Sequence, residues 1–178
     1  IAMGCDAGVL LSNRAFSGAD TWATAYVLSQ AINKLGSTDL VICGERATDG
    51  DTGQVGPAIA SFLNLPLATY VCNLPEITSS GLIVNRLVEG GTEVLKIPLP
   101  TVVTVVKEIA LPRLPTLNGI RKARLTEIPI WGPEDIQANP EWIGLKGSPT
   151  RVVKIQHAHI ARKGKIVFVK DQSDAKEI

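Results

Sequence analysis

The sequence has no excess of charge of either sign. Its 178 residues include 18 Lys and Arg against 17 Asp and Glu, which gives a formal net charge of +1. Because a near-neutral chain presents no broad positive surface, this balance argues against binding to nucleic acid or to an anionic membrane. The sequence also lacks an apolar run of the roughly 20 residues that span a bilayer, and it has no signal-peptide pattern.

Cysteine is scarce as well. The three cysteines, Cys5, Cys43 and Cys72, form no Cys-x-x-Cys pair. An odd number of separated cysteines favours reduced thiols and a cytoplasmic location, and it argues against a zinc site. His157 and His159 alternate near the end of the chain, but two histidines alone do not predict a metal site. We therefore expect no metal in this protein.

The remaining composition, with 45% hydrophobic and 20% charged residues, is that of a globular protein. A chain of this length is most simply one domain with a substantial core. It opens on Ile1 and closes on Ile178 without the usual first or last element of a domain. We therefore expect it to be a fragment of a longer protein.

The first third of the chain alternates between two kinds of pattern. Residues 8–12 and 40–43 are short apolar runs, typical of buried strands. Each run precedes a helical pattern, the first from the N-cap Asp20 to about Leu35 and the second from about Gln54. The apolar stripes that we expect these helices to bury are Ala25, Leu28, Ile32, Leu35 and Val55, Ile59, Phe62, Leu63. This order predicts an α/β fold with a doubly wound, mostly parallel sheet.

The pattern changes after Leu67 to four short β-rich runs, at residues 67–74, 81–89, 92–97 and 101–106. The tetrapeptide that begins at Glu89 reads EGGT, which is typical of a hairpin turn. We expect these strands to complete the sheet as antiparallel edge strands.

Residues 43–57, which read CGERATDGDTGQVGP, join the strand at 40–43 to the second helix. A glycine-rich loop that leads from a strand to a helix N-terminus is where nucleotide phosphates usually bind, because the first N–H groups of the helix are unpaired. The loop matches neither GxxxxGK followed by Ser or Thr nor GxGxxG. A nucleotide site and a plain strand–loop–helix connection therefore both remain open on local grounds.

If the loop binds a nucleotide, its residues have distinct roles. Gly50 and Gly53 let the backbone approach a pyrophosphate, whose oxygens accept hydrogen bonds from the N–H groups that Thr52, Gln54 and Val55 offer. Thr21, at the N-terminus of the first helix, is a second candidate phosphate contact.

Asp49 and Asp51 cannot face phosphate directly, because like charges repel. Of Asp49 and Asp51, we expect one to cap the second helix and the other to bind a ribose hydroxyl. Asp20, at the N-terminus of the first helix, is also predicted to belong to this nucleotide pocket. We expect Cys43 to lie beside an adenosine as a small buried side chain without a chemical role.

Beyond residue 110 the regular pattern fades. Residues 111–119 form a loop with two prolines and three leucines, and a short basic helix follows. From about Ser148 the chain resembles an extended arm with possible strands at 152–155 and 166–169. Such an arm is either a subunit-contact device or a disordered tail, and we favour contact.

Several of these segments together resemble a known family. Residues 84–104 follow the pattern V-x-R-x-x-E-G-G-T-E-x-L-x-x-x-x-P-x-V-V-T, which resembles the signature of the β subunit of electron-transfer flavoproteins, FixA proteins included. The loop at 43–57 and the segment P-R-x-x-T-L from Pro112 are similar as well. The likeness covers about residues 1–124, and roughly the first third of a family member has no counterpart here.

The resemblance implies a Rossmann-like fold of the adenine nucleotide alpha hydrolase type. It also implies a heterodimer in which an α subunit carries a redox-active FAD and the arm of the β subunit wraps it. The domain organisation is then a nucleotide-binding α/β domain at 1–110, a partner-recognition loop and short helix at 111–125, and an extended arm contacting the α subunit at 126–178. Such a subunit is an electron carrier rather than a stand-alone enzyme, and no residue here is expected to be catalytic.

The nucleotide that the resemblance implies depends on the loop. Conventional β subunits hold a structural AMP, whereas electron-bifurcating members hold a second FAD that takes a hydride from NADH and splits its two electrons. Residues 49–57 read DGDTGQVGP, similar to the bifurcating version except that Gly53 replaces an alanine. We therefore expect FAD in this subunit, with AMP as the alternative, and ferredoxin or a quinone as the acceptor.

The family also assigns a role to the loop at 111–119. Its matching leucine, here Leu117, anchors an acyl-CoA or other dehydrogenase, and Arg113 lies beside it. The alternative is that Leu114 and Leu117 cover the core of their own domain. We favour docking.

Two further readings compete with this one. Residues 17–21, SGADT, resemble the phosphate loop of ATP pyrophosphatases but are one residue short of that motif. The other alternative is a module that binds no nucleotide. A fragment whose pocket is open would favour this alternative. We expect the isolated fragment to bind flavin weakly or not at all.

Overall fold

The computed structural model describes residues 1–155. These residues contain four α-helices, namely α1 (Thr21–Leu35), α2 (Val55–Leu63), α3 (Leu117–Leu125) and α4 (Gly144–Gly147). Over the same range there are seven strands, namely β1 (Leu10–Leu11), β2 (Leu40–Gly44), β3 (Leu67–Ile77), β4 (Gly81–Val88), β5 (Gly91–Pro98), β6 (Thr101–Val105) and β7 (Ile130–Trp131). Short 3₁₀ helices lie at Arg14–Phe16, Lys107–Ile109 and Pro140–Trp142.

The main sheet has the strand order β2-β6-β3-β4-β5. Strand β6 pairs in parallel with both β2 and β3, while β4 pairs antiparallel with β3 and with β5. Parallel strands flanked by helices, with antiparallel strands at one edge, confirm the predicted fold class. The hairpin prediction is also confirmed, since Val88 pairs with Gly91 across a two-residue turn in which Gly90 has φ +100°.

Two strand predictions were wrong. The run at 101–106 is a central parallel strand rather than an antiparallel edge, as its uninterrupted burial from Thr101 to Thr104 requires. The run at 8–12 is not a buried strand of the main sheet. Only Leu10–Leu11 is extended, it pairs with β7 in a sheet of two strands, and Leu10 is half exposed.

The two long helices begin and end for local reasons. The Asp20 carboxylate accepts hydrogen bonds from the Trp22 and Ala23 N–H groups, both at 3.0 Å, which caps α1 as predicted. Gly36, at φ +96°, ends it. Helix α2 ends at Leu63 because Asn64 adopts the left-handed conformation at φ 53°.

Helices α1 and α2 pack on one face of the main sheet. Ala25, Ile59, Ala60 and Val102 form the buried centre of that layer. Leu35 is exposed, so the predicted stripe of α1 is wrong at its last position. A second face of α1 carries Trp22 and Tyr26, whose rings pack edge-on against Phe62 and Trp142. The opposite face of the sheet has its own core, which comprises Ala68, Val71, Leu82, Val84, Ile97 and Val103.

The chain after α3 returns to this helical layer. The Asn139 N–H donates to the Tyr26 hydroxyl at 2.9 Å, and the Lys34 ammonium donates to the Asp135 carbonyl at 2.6 Å. No strand forms at 152–155 within the described range, contrary to expectation, and Val152, Val153 and Ile155 are exposed. The possible strand at 166–169 and both histidines lie outside the described residues.

Candidate functional site

A cleft of about 610 Å³ lies at the carboxyl end of β2, between α1 and the loop that leads to α2. Its walls come from three segments of the chain. The lining residues are Thr24, Leu28 and Ile32 of α1, residues 41–47 of β2 and the following loop, and residues 52–56 with Ile59 around the start of α2. The carboxyl ends of parallel strands are where ligands bind in open α/β sheets.

The floor of the cleft is apolar and tightly built. Gly56, in the first turn of α2, lies so close to β6 that an added Cβ would be 2.3 Å from Thr104 Cγ2 and 3.4 Å from Cys43 Cβ. Only glycine permits this approach, which brings the α2 N-terminus against the sheet. Cys43 lines the cleft, and burial raises the pKa of its thiol, which keeps the thiol protonated.

The N-terminus of α2 opens onto the cleft. Gln54 occupies the N-cap position, but its side chain does not cap the helix. Its amide oxygen instead accepts a hydrogen bond from the Thr21 hydroxyl at 3.2 Å. This bond ties the N-terminus of α1 to that of α2. The first N–H groups of α2 therefore receive no side-chain acceptor from Gln54.

The structure brings some of the predicted loop residues into the cleft and leaves others at its rim. Thr52, Gly53, Gln54 and Val55 line it. Asp49, Gly50 and Asp51 do not, and all three are exposed. Gly53 is at φ +64°, in the left-handed region, which fits the predicted need for glycine in the loop.

Neither loop aspartate caps α2, so that prediction was wrong. The Asp49 carboxylate accepts a hydrogen bond from the Gly50 N–H at 2.9 Å, and Asp51 pairs with Arg46 at 3.3 Å between Oδ1 and Nη1. Asp51 itself has φ +48°. Both carboxylates therefore make their contacts within the loop and not with α2.

Asp20 does not line the cleft. One carboxylate oxygen caps α1, and the other accepts two hydrogen bonds from Thr150, at 2.9 Å from its N–H and 2.7 Å from its hydroxyl. The Asp20 N–H also donates to the Ser148 hydroxyl at 2.8 Å. Burial alone raises the pKa of Asp20, but the hydrogen bonds from Ala23, Thr150 and Trp22 outweigh it, and the pKa lies below its ordinary value. Asp20 thus holds the residues that lead into the arm.

Sequence reasoning missed several residues of the cleft. Thr24, Leu28 and Ile32 follow one another at i, i+4 and i+8, so they share a face of α1, and that spacing is the signal that could have placed them together. Leu28 and Ile32 pack against the core as the predicted stripe requires, and they also line the cleft. Arg46 and Ala47 carried no motif of their own.

Tyr70 was missed for a different reason. It lies in a β-bulge between Ala68 and Val71 with φ +56°, an unusual conformation for an aromatic residue. Its N–H donates to the Thr104 hydroxyl at 3.0 Å. Its own hydroxyl lies 3.4 Å from where a Cβ on Gly53 would be. The sequence pattern of a strand does not reveal a bulge, so it does not show that Tyr70 contacts the loop at Gly53.

The loop before α3 exposes its leucines. Leu111, Leu114 and Leu117 are 95%, 87% and 87% exposed, so the alternative in which Leu114 and Leu117 cover the domain's own core is wrong for the described chain. Leu117 is the first residue of α3, which Thr116 caps. The Arg113 guanidinium lies beside Gly4.

Within residues 1–155, no helix has both the length and the hydropathy needed to cross a membrane. In the same range, no three His, Cys, Asp or Glu side chains come close enough to hold a metal ion.

Comparison with known proteins identifies relatives of one kind. The family model of the electron transfer flavoprotein domain matches residues 1–135. The chain is 45% identical over 167 residues to the electron transfer flavoprotein subunit beta of Thermoanaerobacterium thermosaccharolyticum, which covers 93% of the chain and 64% of the relative. It is 47% identical to the caffeyl-CoA reductase-Etf complex subunit CarD of Acetobacterium woodii, over 86% of the chain and 58% of the relative. It is 41% identical to the protein FixA of Sinorhizobium fredii, over 95% of the chain and 61% of the relative. The chain thus spans about three fifths of the length of these relatives.

Proposed function

The chain belongs to the electron transfer flavoprotein family, with the β subunits and FixA proteins as its relatives, and from this we propose that the whole protein is a β subunit that holds FAD in the cleft beside β2. With an α subunit it carries electrons between NADH or a dehydrogenase and an acceptor such as ferredoxin or a quinone. It acts as one half of an electron carrier, in the cytoplasm.

The observation that carries this proposal is the position of the cleft. It lies at the carboxyl end of a parallel strand, and the uncapped N-terminus of α2 borders it. Its volume falls in the range of about 300–1,000 Å³ that is usual for small-molecule sites. The apolar side chains of Leu28, Ile32 and Val41 suit an aromatic base, and the N–H groups of the α2 N-terminus suit phosphate oxygens. The residues present therefore fit an adenine dinucleotide.

The loop residues take their roles from this arrangement. The N–H groups of Thr52, Gln54 and Val55 bind the pyrophosphate, and Gly53 permits its close approach. Thr21 holds Gln54 in place and serves as the second polar contact from α1. When bound, the flavin supplies the redox chemistry, and this chain binds it and sets its surroundings.

The residues at the edge of the cleft contribute less directly. Gly50 lets the turn fold back at the rim, while Asp49 or Asp51 meets a ribose hydroxyl there. Asp20 supports the pocket by capping α1 and therefore positions Thr21. Cys43 packs beside the base as a neutral thiol.

The choice of FAD over AMP depends on residues 49–57, which read DGDTGQVGP. These residues resemble the corresponding residues of electron-bifurcating members. The likeness supports a second flavin and bifurcation. A structural AMP is the alternative, in which case all redox chemistry belongs to the α subunit.

The test is the nucleotide content of the complete protein purified together with its α subunit. Denaturation, chromatographic separation and mass analysis of the released nucleotides give the stoichiometry. We expect two FAD per heterodimer. One FAD and one AMP would replace the FAD proposal by the AMP alternative, and a β subunit without any adenine nucleotide would overturn both.

We also propose that the loop from Leu111 to Leu117 docks a dehydrogenase or reductase that acts on acyl-CoA. The three leucines are almost fully exposed, and large apolar side chains are exposed in this way mainly where a partner covers them. The printed name of the Acetobacterium relative, a caffeyl-CoA reductase-Etf complex subunit, supports a partner of that chemistry.

A further inference from the structure

We infer that Arg46 is the phosphate-binding cation of this cleft, and that it exchanges Asp51 for a phosphate oxygen of the nucleotide. The inference rests on the proposed function and goes beyond it by assigning a residue that no loop motif contains. It also predicts that the Arg46–Asp51 ion pair weakens nucleotide binding, because the Asp51 carboxylate competes with the ligand for Arg46.

Packing fixes where the Arg46 side chain lies. Its Cγ is 3.5 Å from the position that a Cβ on Gly53 would occupy, so the stem lies against the loop backbone beside that glycine. Tyr70 supports the same glycine from another direction. Arg46 lines the cleft, and its side chain is about half exposed. A guanidinium held by its stem can turn between two acceptors without moving the loop.

The charges in the cleft point to Arg46 as well. Among the described residues that line it, Arg46 is the cation and Glu45 the anion, so the lining has no net charge. A phosphorylated ligand therefore meets one attractive and one repulsive side chain. Arg binds phosphate oxygens through two parallel N–H groups, whereas the uncharged N–H groups of α2 contribute only partial charges.

The present partner of Arg46 is weakly held. Nη1 is 3.3 Å from Asp51 Oδ1, and the Asp51 side chain is 70% exposed. An ion pair exposed to this degree is screened by water and adds little stability. The pyrophosphate of a dinucleotide, like the phosphate monoester of AMP, carries more negative charge than a carboxylate, so it displaces Asp51 from Arg46.

The experiment compares AMP with adenosine, which has the same base and ribose but no phosphate. The complete protein in complex with its α subunit is stripped of β-subunit nucleotide, and each compound is titrated by calorimetry. The variants are Arg46→Gln and Asp51→Asn. Arg121→Gln is the matched control, since it removes the same charge from exposed α3, which does not line the cleft.

We expect Arg46→Gln to weaken AMP binding by about tenfold or more, the usual effect of losing a charge-assisted hydrogen bond, and to leave adenosine binding unchanged. Asp51→Asn removes the competitor, so it should increase the preference for AMP over adenosine. Raising the salt concentration should reduce the preference for AMP over adenosine in the unaltered protein but not in Arg46→Gln.

A purely structural role of the ion pair would give a different pattern. It would make Asp51→Asn weaken AMP binding as much as Arg46→Gln does, and it would weaken adenosine binding in parallel. Either result, or unchanged AMP binding in Arg46→Gln, overturns the inference while the proposed function stands. If the unaltered protein binds neither AMP nor adenosine, the proposed function falls together with the inference.

Discussion

Gly56 is the residue on which the shape of the cleft depends most directly. A methyl group at this position would lie 2.3 Å from Thr104 Cγ2, well inside contact distance. We expect Gly56→Ala to lower the free energy of unfolding by about 1–3 kcal/mol, as overpacking in a close-packed interior does. The variant should also weaken nucleotide binding, because the α2 N-terminus has to move away from the sheet. Urea denaturation measures the first effect and nucleotide titration the second.

The matched control is Gly91→Ala. Nothing lies within 4 Å of a Cβ added there, and the backbone at that position is not left-handed. Its effect on the free energy of unfolding should stay within about 0.5 kcal/mol. If both variants lose the same free energy of unfolding, the close approach at Gly56 is not the cause of the loss in Gly56→Ala.

Leu117 gives the second prediction at this scale. It is 87% exposed, so Leu117→Ala removes no core contact and should change neither the thermal midpoint nor the nucleotide content. If the leucine fills a pocket on a dehydrogenase, the variant should slow electron transfer with that partner about tenfold or more. Stopped-flow transfer rates measure this.

The control for Leu117→Ala is Leu111→Ala, in the same loop and 95% exposed. It should reduce the transfer rate less, since the family resemblance points to Leu117. Loss of nucleotide in Leu117→Ala, or a lowered thermal midpoint, would mean that the leucine supports its own domain.

Single residues also show where sequence reasoning reaches its limit. Gly53 could be assigned from the sequence, because a loop that turns onto a helix needs a left-handed residue and glycine adopts one freely. Arg46 and Tyr70 could not. The position of each depends on a contact with Gly53 that forms only in the folded chain, and neither residue type is unusual for a loop or a strand.

At the scale of elements, Asp20 connects α1 to the start of the arm. Its carboxylate caps α1 and accepts both hydrogen bonds from Thr150. Asp20→Ala should therefore lower the free energy of unfolding by about 1 kcal/mol through the lost cap, and it should free residues 148–150 from α1. Proteolysis by trypsin after Arg151 should become faster than in the unaltered chain.

The pH dependence of this effect follows from the lowered pKa of Asp20. A carboxyl group with a lower pKa in the folded state stabilises the fold fully above its unfolded value, near 3.8, and the contribution is lost as the pH falls through the folded value. The stability difference between Asp20→Ala and the unaltered chain should therefore shrink below pH 3.8. A stability difference that is the same at every pH would show that the charge of Asp20 matters neither for the α1 cap nor for the contact with Thr150.

The elements themselves were predictable to different degrees. Helix α1 carries its own start and stop signals in Asp20 and Gly36, and the β4–β5 hairpin carries its turn in Gly90, so local chemistry sufficed. Strand β1 has only two paired residues, and its partner β7 lies more than a hundred residues away. Nothing local specifies such a pairing. The central position of β6 likewise depends on strands from both sides.

At the scale of the whole molecule, the β2 edge of the main sheet is the one that lies beside the cleft. Strand β2 ends the sheet in the described residues, so its outer N–H and C=O groups have no strand partner there. Ile42, in the middle of β2, is 57% exposed. An open edge strand with an exposed apolar side chain promotes pairing with another chain. The cleft opens beside the same strand, which means that whatever covers the edge also borders the cleft.

We therefore expect the isolated 178-residue chain to self-associate through β2, and Ile42→Lys to reduce this association at least severalfold, because a lysine on an edge strand must lose its hydration to pair. Sedimentation velocity over a range of concentrations measures the effect. Leu125→Lys is the control, since Leu125 is 78% exposed on α3 and lies away from the sheet edge. Equal reductions by the two variants would show general hydrophobic association rather than strand pairing. A chain that stays monomeric at every concentration would show that the β2 edge is protected without a partner.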